Sequence, residues 1–238
     1  MSFRKSLTSL FLRRVYWRLK RPTFVVLLGA PGSGKGTLAE NLPFPQLSTG
    51  NLFRAEWEKQ TELGKQVKPI MDKGGLVPDD LTFGILKGAL PTWQYAKGAT
   101  FDGFPRTDNQ AVLLDGLVDD WDLVISHVFL IDVTRPDLIE RISGRRTCSN
   151  KACGKSYHVR FKKPKVDGIC NACGSPLYIR DDDKPEVVAA RLDKYDATSG
   201  SLTRYYEKHP GFRRLKSTNA DSPDAVLKTA LSIIQSGR

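Results

Sequence analysis

Phe24-Val-Val-Leu-Leu28 runs directly into Gly29-Ala-Pro-Gly-Ser-Gly-Lys-Gly-Thr37. An unbroken apolar run that ends on a glycine-rich turn reads as a buried strand opening into a loop. In such a loop, glycines let successive backbone N–H groups turn toward one anion. The lysine reaches the outer phosphates, and the following helix presents its positive end. The match to GxxxxGK[ST] departs at one place, because Gly36 follows Lys35 and the hydroxyl arrives one residue later, at Thr37. A lysine at this offset, with a strand before and a helix after, points to binding of a nucleoside triphosphate rather than to mere turn punctuation.

The 238 residues, with 40% apolar content, supply one α/β core with inserted subdomains, not two independent domains. The formal net charge is +11, and residues 1–22 hold seven cations and no acid: Arg4, Lys5, Arg13, Arg14, Arg18, Lys20 and Arg21. A mostly N-terminal excess, plus arginines that serve phosphates, accounts for the basic balance without nucleic acid as the primary partner. No apolar run approaches the roughly 20 residues that span a bilayer, so no transmembrane segment is expected. Residues 1–22 are similar to a mitochondrial presequence, although Arg14 and Arg18 share a helical face with Leu7 and Phe11. The competing reading is a solvated basic extension in weak contact with a membrane surface. A cytoplasmic location is expected, with mitochondrial import as the alternative.

Beyond the loop, Pro43 and Pro45 end the helical pattern near Leu42, and Leu47-Ser-Thr-Gly-Asn-Leu-Phe-Arg54 opens a second phosphate-facing neighbourhood. The stretch from Glu56 to Lys73 reads as two short helices broken by Gly74-Gly75. Leu76-Val-Pro-Asp-Asp80 starts another, with Asp79 and Asp80 in its first turn. A second strand starts at Lys97 and ends on Asp102, and a third covers His127 to Val133. Strands alternating with helices imply a parallel sheet whose ligands gather beyond the carboxyl ends of the strands, where Gly29 and Asp102 emerge. Pro185 to Tyr206 reads as one long helix, and Ser222-Pro223 caps a last one that runs to about Gln235.

All four cysteines fall between Arg146 and Arg180, as Cys148-x4-Cys153 and Cys170-x2-Cys173, each pair followed by a turn glycine, Gly154 or Gly174. Two close pairs facing across a hairpin suit a tetrahedral ion, with zinc expected; two disulfides are the competing reading. Four thiolates leave no open coordination position, which makes the metal structural rather than catalytic.

The motifs GAPGSGKGT, STGNLFR, GGLVPDDL, FDGFPRTDNQ, ERISGRR, SYHVRFKKPKVDG and RDDDKPEVVAARLDKY follow one another from Gly29 to Tyr195. In this order and spacing the chain resembles the long-lid adenylate kinases, nucleoside monophosphate kinases of P-loop NTPase fold, from about Phe24 onward. The resemblance implies an α/β fold: a three-layer P-loop kinase core with a parallel β-sheet, formed by residues 23–50, 82–143 and 182–238. It further implies a small helical AMP-binding insertion at 51–81 and a zinc-bearing lid at 144–181, after a basic extension at 1–22. The implied reaction is ATP + AMP ⇌ 2 ADP, carried out by a monomer.

By the same resemblance, Gly32, Ser33, Gly34, Lys35, Gly36 and Thr37 hold the ATP phosphates, and Arg141 stacks on the donor adenine. Thr37 and Asp102 organise Mg²⁺. Arg54 and Arg106 grip the AMP phosphate, while Thr49, Gly50, Leu76, Val77, Gly103 and Gln110 line the AMP site, Gln110 reading the adenine edge. Arg145, Arg180 and Arg191 close around the transferring phosphoryl group, Arg145 from the ATP side and Arg180 and Arg191 also toward AMP. Lys35, Asp102, Arg106, Arg145, Arg180 and Arg191 are thus the catalytic set, and Cys148, Cys153, Cys170 and Cys173 the zinc ligands.

The chain departs from the family pattern in four places. Leu38 to Leu47 is a short connection, so the first helix is expected to lose about a turn. The first cysteine pair is spaced by four. Asn51 stands where Asp is usual, and Leu215-Lys-Ser-Thr-Asn219 does not reproduce the usual Asp-Gly turn beside the donor base. The alternatives are a monophosphate kinase with another acceptor or donor base, such as GTP, and a catalytically weak zinc- and nucleotide-binding module. His158, beside Tyr157, is read as a hydrogen-bonding residue of the lid, not a metal ligand.

Overall fold

The structure, a computed structural model, describes residues 23–90, 98–150, 153–221 and 224–236. The readings of residues 1–22, of Lys97 as a strand residue and of Ser222-Pro223 as a helix cap lie outside the described residues.

The apolar run at the start forms β1 (Thr23–Leu28), which alternates its side chains between two layers. Phe24, Val26 and Leu28 enter one hydrophobic cluster, and Val25 and Leu27 enter the other. β1 lies between β3 (Gly98–Asp102) and β4 (Val124–Asp132), parallel to both, and β4 repeats the division with Val128 and Leu130 on one face and Phe129 and Ile131 on the other. Burial on both faces is why these strands read as continuous apolar runs.

The complete sheet is parallel, in the order β2-β3-β1-β4-β8, with β2 (Gln46–Ser48) and β8 (Phe212–Lys216) at its edges. Both edge strands are additions to the sequence reading. β2 is three residues long, and β8, Phe-Arg-Arg-Leu-Lys, buries only Leu215, so neither shows an apolar signature. β4 also begins three residues before the expected His127.

On one face lie α1 (Lys35–Asn41) and α8 (Ala225–Ser236), which bring Leu38, Ala39, Ala230 and Ile234 onto Val25 and Leu27. α1 is short, as the abbreviated connection requires, and stops before Leu42. On the other face lie α4 (Asp79–Ala89), α5 (Asp108–Trp121) and the long α7 (Pro185–Glu207), which contribute Leu86, Leu114, Leu117, Leu202 and Tyr206.

α2 (Thr49–Glu58) and α3 (Glu62–Asp72) pack with the start of α4 around a small cluster of their own, built on Phe53, Val67 and Val77. The helix expected from Glu56 therefore begins at Thr49, directly at the end of β2. Asp79, read as complementing the dipole of α4, also clamps the next helix: its carboxylate accepts from Thr107 Oγ1 at 3.0 Å, Asn109 Nδ2 at 2.9 Å and Gln110 Nε2 at 2.7 Å.

After α6 (Arg135–Ser143), the strands β5 (Arg145–Cys148), β6 (Ser156–His158) and β7 (Leu177–Tyr178) form a separate antiparallel sheet in the order β6-β5-β7. No helix among the described residues is long and apolar enough to cross a membrane.

Phe101, fully buried in β3, stacks on Phe24 at 5.2 Å between ring centroids. Truncation to alanine removes the central ring pair of the larger cluster. Phe101→Ala should destabilise the fold by about 3–5 kcal/mol, read as a lowered urea midpoint; a change below about 1 kcal/mol would contradict the packing described.

Candidate active site

β1 and β3 end side by side, Leu27 opposite Asp102, and deliver the glycine-rich loop and the Asp102 carboxylate to one rim. The loop needs its glycines for close approach as well as for conformation. Gly32 has φ +81°, and a Cβ there would lie 2.5 Å from Ile142 Cγ1. Lys35 folds back over the loop and donates from Nζ to the carbonyls of Gly29 at 2.6 Å and Ala30 at 2.8 Å. Asp102 Oδ2 accepts from Gln46 Nε2 at 2.7 Å and would stand 3.7 Å from a Cβ on Gly36, so the carboxylate faces the start of α1 beside Thr37.

The same cleft is lined by Lys35, Arg54, Arg106, Arg145, Arg180 and Arg191, cations delivered from separate stretches of the chain. Their mutual proximity is visible in their protonation. Burial lowers the Arg106 pKa, with Arg191 and Arg54 pushing in the same direction against Asp102. Burial likewise lowers Arg180 to about 10, aided by Arg54 and Arg145. The Nε of Arg180 and the Oγ of Ser33 are buried with no hydrogen-bond partner among the described residues. A polyanion in the cleft would relieve the repulsion among these cations.

Two aspartates hold part of this array in place. Asp183, with a fully buried side chain, accepts from Arg145 through both oxygens, Nε at 2.6 Å and Nη2 closer still, and from Arg191 Nη1 at 3.0 Å. Arg191 also pairs with Asp182 at 3.1 Å and donates to its carbonyl at 2.6 Å. The bidentate geometry fixes the plane of Arg145, and although burial opposes its charge, Asp183 keeps its pKa raised. Sequence reasoning assigned neither aspartate a role; the run of three acids after Arg180 was the available signal.

On the opposite side, Gly103 (φ +81°) packs against Arg106 and Thr49 so closely that a Cβ would meet Arg106 Nη2 at 2.8 Å. Its carbonyl accepts from Thr49 Oγ1 and from Arg106 Nε, each at 2.9 Å. Gly50 and Leu76 line the cleft, whereas Thr49, Val77 and Gln110 are buried behind its surface. Gln110 accepts the Arg106 backbone N–H at 2.8 Å and donates to Asp79, which leaves its carboxamide one N–H and one lone pair.

Arg141 lines the far end with Ser217, Thr218 and Asn219, held as a fixed plane by Asn219 Oδ1 at 2.7 Å, Ser217 Oγ at 2.9 Å and the Thr218 carbonyl at 2.8 Å.

The four cysteine sulfurs lie within 4.8 Å of one another, and all four thiols are free. The closest approaches run between the two pairs: Cys148 to Cys173 at 3.4 Å and Cys153 to Cys170 at 3.7 Å. Tetrahedral thiolates at about 2.3 Å from an ion stand roughly 3.8 Å apart, so this donor set fits a closed zinc-type site. Gly154 and Gly174 have φ of +57° and +73°, as the two turns require. His158 is outside the cluster. Its Nδ1 accepts from the Arg160 and Phe161 amides at 3.0 and 3.1 Å, which leaves Nε2–H to donate to the Glu140 carbonyl at 3.3 Å.

A parallel α/β sheet with a lysine-bearing phosphate loop, facing an arginine-lined cleft, defines a P-loop phosphotransferase. The family model described as adenylate kinase matches residues 27–210. Adenylate kinase of Carboxydothermus hydrogenoformans is 42% identical over 212 residues, covering 87% of this chain and 98% of the relative. That of Geobacter sulfurreducens is 42% identical over 217 residues, 89% and 98%; that of Ruminiclostridium cellulolyticum is 46% identical over 188 residues, 77% and 87%. The chain belongs to the adenylate kinase family.

The electrostatics give a signed expectation. Burial lowers the Lys35 pKa to about 7; Asp102 opposes this, and Arg106, Arg191 and Arg145 reinforce it. From about pH 7 up to the ordinary 10.5 the folded protein binds fewer protons at this group than the unfolded chain, so this term makes the free protein more stable as pH rises. A bound triphosphate reverses the bias by favouring the ammonium. Triphosphate binding at about pH 8 should therefore take up a proton, and affinity should fall as pH rises above neutrality. Calorimetry in buffers of different ionisation enthalpy measures this, and proton release would contradict it.

Proposed function

We propose that the protein catalyses reversible, Mg²⁺-dependent transfer of the terminal phosphoryl group of ATP to AMP, yielding two ADP. The observation that carries this reading is the convergence of Lys35, Arg54, Arg106, Arg145, Arg180 and Arg191 on one cleft. Two nucleotides approaching phosphate to phosphate repel one another, and so many fixed cations are what in-line transfer between them needs.

In this reading the loop amides and Lys35 hold the donor phosphates, and Arg141 offers its guanidinium plane to the donor base. Arg54 and Arg106 hold the acceptor phosphate. Thr49, Gly50, Leu76, Val77, Gly103 and Gln110 form the acceptor site, with Thr49, Val77 and Gln110 acting as its supporting layer. Arg145, Arg180 and Arg191, the first and last oriented by Asp183, surround the transferring group. No general base is required, because a phosphate monoester with a second pKa near ~6 is already an anionic nucleophile at neutral pH.

Thr37 and Asp102 would hold Mg²⁺, which would supply positive charge to neutralise the donor phosphates. Residues 51–81 and 144–181 would be the acceptor insertion and the lid that exclude water during transfer. Zinc held by Cys148, Cys153, Cys170 and Cys173 would stiffen the lid, and the bacterial origin of the relatives supports a cytoplasmic location.

The decisive test is ADP formation from Mg-ATP with each of AMP, GMP, CMP and UMP. Fast turnover with AMP alone is expected. Arg106→Ala should lower kcat/KM at least about a hundredfold, the scale of a lost charge-assisted contact to a transferring phosphate; undiminished turnover would overturn the assignment of Arg106. Selectivity for another acceptor would move the protein within the monophosphate kinases.

A second expectation concerns the metal. Cys170→Ser should release zinc and lower the melting temperature while leaving low-temperature turnover largely intact. Unchanged melting in a metal-free variant would rule out a stabilising metal.

A further inference from the structure

Asn219 occupies the turn that departs from the family's usual Asp-Gly sequence, and its carboxamide spans two adjacent residues of α6. Oδ1 accepts from Arg141 Nε at 2.7 Å, and Nδ2 donates to Glu140 Oε2 at 2.6 Å. The orientation of the amide is determined by chemistry, since Arg141 can only donate and the Glu140 carboxylate can only accept. The second oxygen of Glu140 accepts from Arg160 Nη1 at 2.5 Å, and the Glu140 backbone carbonyl faces His158 Nε2 at 3.3 Å. Arg160 and His158 belong to the 144–181 segment, whereas Glu140, Arg141 and Asn219 belong to the core.

We propose that Asn219 is a positioning residue for the donor nucleotide: it fixes the plane of Arg141 and, by holding Glu140, couples that plane to the seating of the lid. The proposal rests on the reading of Arg141 as the donor-base platform. A residue without a carboxamide in this place, such as alanine, would supply neither bond. Arg141 would then keep only Ser217 and Thr218 as its close partners in the turn, and Glu140 would be free to rotate away from Arg160. Because the acceptor site lies at the opposite end of the cleft, the effect belongs to the donor alone. Asn219 does not touch the reacting phosphates and has no part in the chemical step.

The test uses steady-state kinetics on the full-length protein with Asn219→Asp, alone and combined with Glu140→Gln. The aspartate can still accept from Arg141 but sets a carboxylate against that of Glu140. We expect KM for ATP to rise about tenfold, the scale of one hydrogen bond to a charged group, with KM for AMP and kcat at saturating ATP unchanged. In the N219D/E140Q double variant the amide and the acid exchange sides, the bond re-forms, and KM for ATP should return to within about twofold of the parent. An unchanged KM for ATP in N219D overturns the proposal. So does an equal rise in both KM values, or a defect that E140Q does not relieve. Arg141→Ala distinguishes the two levels: if it too leaves KM for ATP unchanged, the donor-platform reading fails, whereas a large effect there beside a silent N219D defeats only the role of Asn219.

Discussion

Lys35, Arg54, Arg106, Arg145, Arg180 and Arg191 crowd one part of the cleft, where Asp102, Asp182 and Asp183 are too few to neutralise them. Asp183 takes Arg145 and Arg191, Asp182 shares Arg191, and Asp102 offsets Lys35 and Arg106. Everything else in the site follows from this imbalance. It makes the free protein less comfortable than it could be, with burial lowering Lys35, Arg54, Arg106 and Arg180 together. It also makes the cleft complementary to a chain of phosphates, so that interactions wasted in the free protein become productive when charge accumulates between donor and acceptor.

The architecture answers the problem of holding like charges in register. The parallel sheet ends β1 and β3 at the same rim, fixing the loop, Lys35 and Asp102 on the stiffest part of the molecule. The remaining cations come from other elements: Arg54 from the helical unit around Phe53 and Val67, Arg106 from the turn after β3, Arg145 from the three-stranded sheet, Arg180 from the segment after β7, and Arg191 from α7, which packs on the main core through Leu202 and Tyr206. Their positions depend on where those elements sit relative to the sheet. Asp183, lying between Arg145 and Arg191, ties two of them to one point.

Much of the site was legible because the sequence writes it in local words. A buried strand followed by glycines and lysine, and a cysteine pair followed by a turn glycine, each declare their chemistry within a few residues, whereas Arg106 after Phe104-Pro105 takes its reading from the family resemblance. β2 and β8 were not legible: one is too short to show a period, and the other exposes three of its five residues as Arg213, Arg214 and Lys216. The supporting contacts were hidden for a different reason. Asp79 to Gln110, Asp183 to Arg145 and Asn219 to Glu140 join positions from 31 to 79 residues apart, and only the folding of the chain brings them together. Gln110 illustrates the difference. Its motif marks it as part of the acceptor site, but that it stands behind Arg106, half spent on Asp79, is a fact of three dimensions.

The claim that the cation array is strained for function is tested most directly by the urea midpoint of Arg106→Met in the absence of nucleotide. Methionine keeps most of the side-chain length and apolar contact while removing the charge. The midpoint should lie at or above that of the parent, because relief of burial and of repulsion from Arg191 and Arg54 outweighs the lost bond to the Gly103 carbonyl. A loss of about 1 kcal/mol or more would contradict it, and would mean that Arg106 is there to hold the fold rather than to await a phosphate.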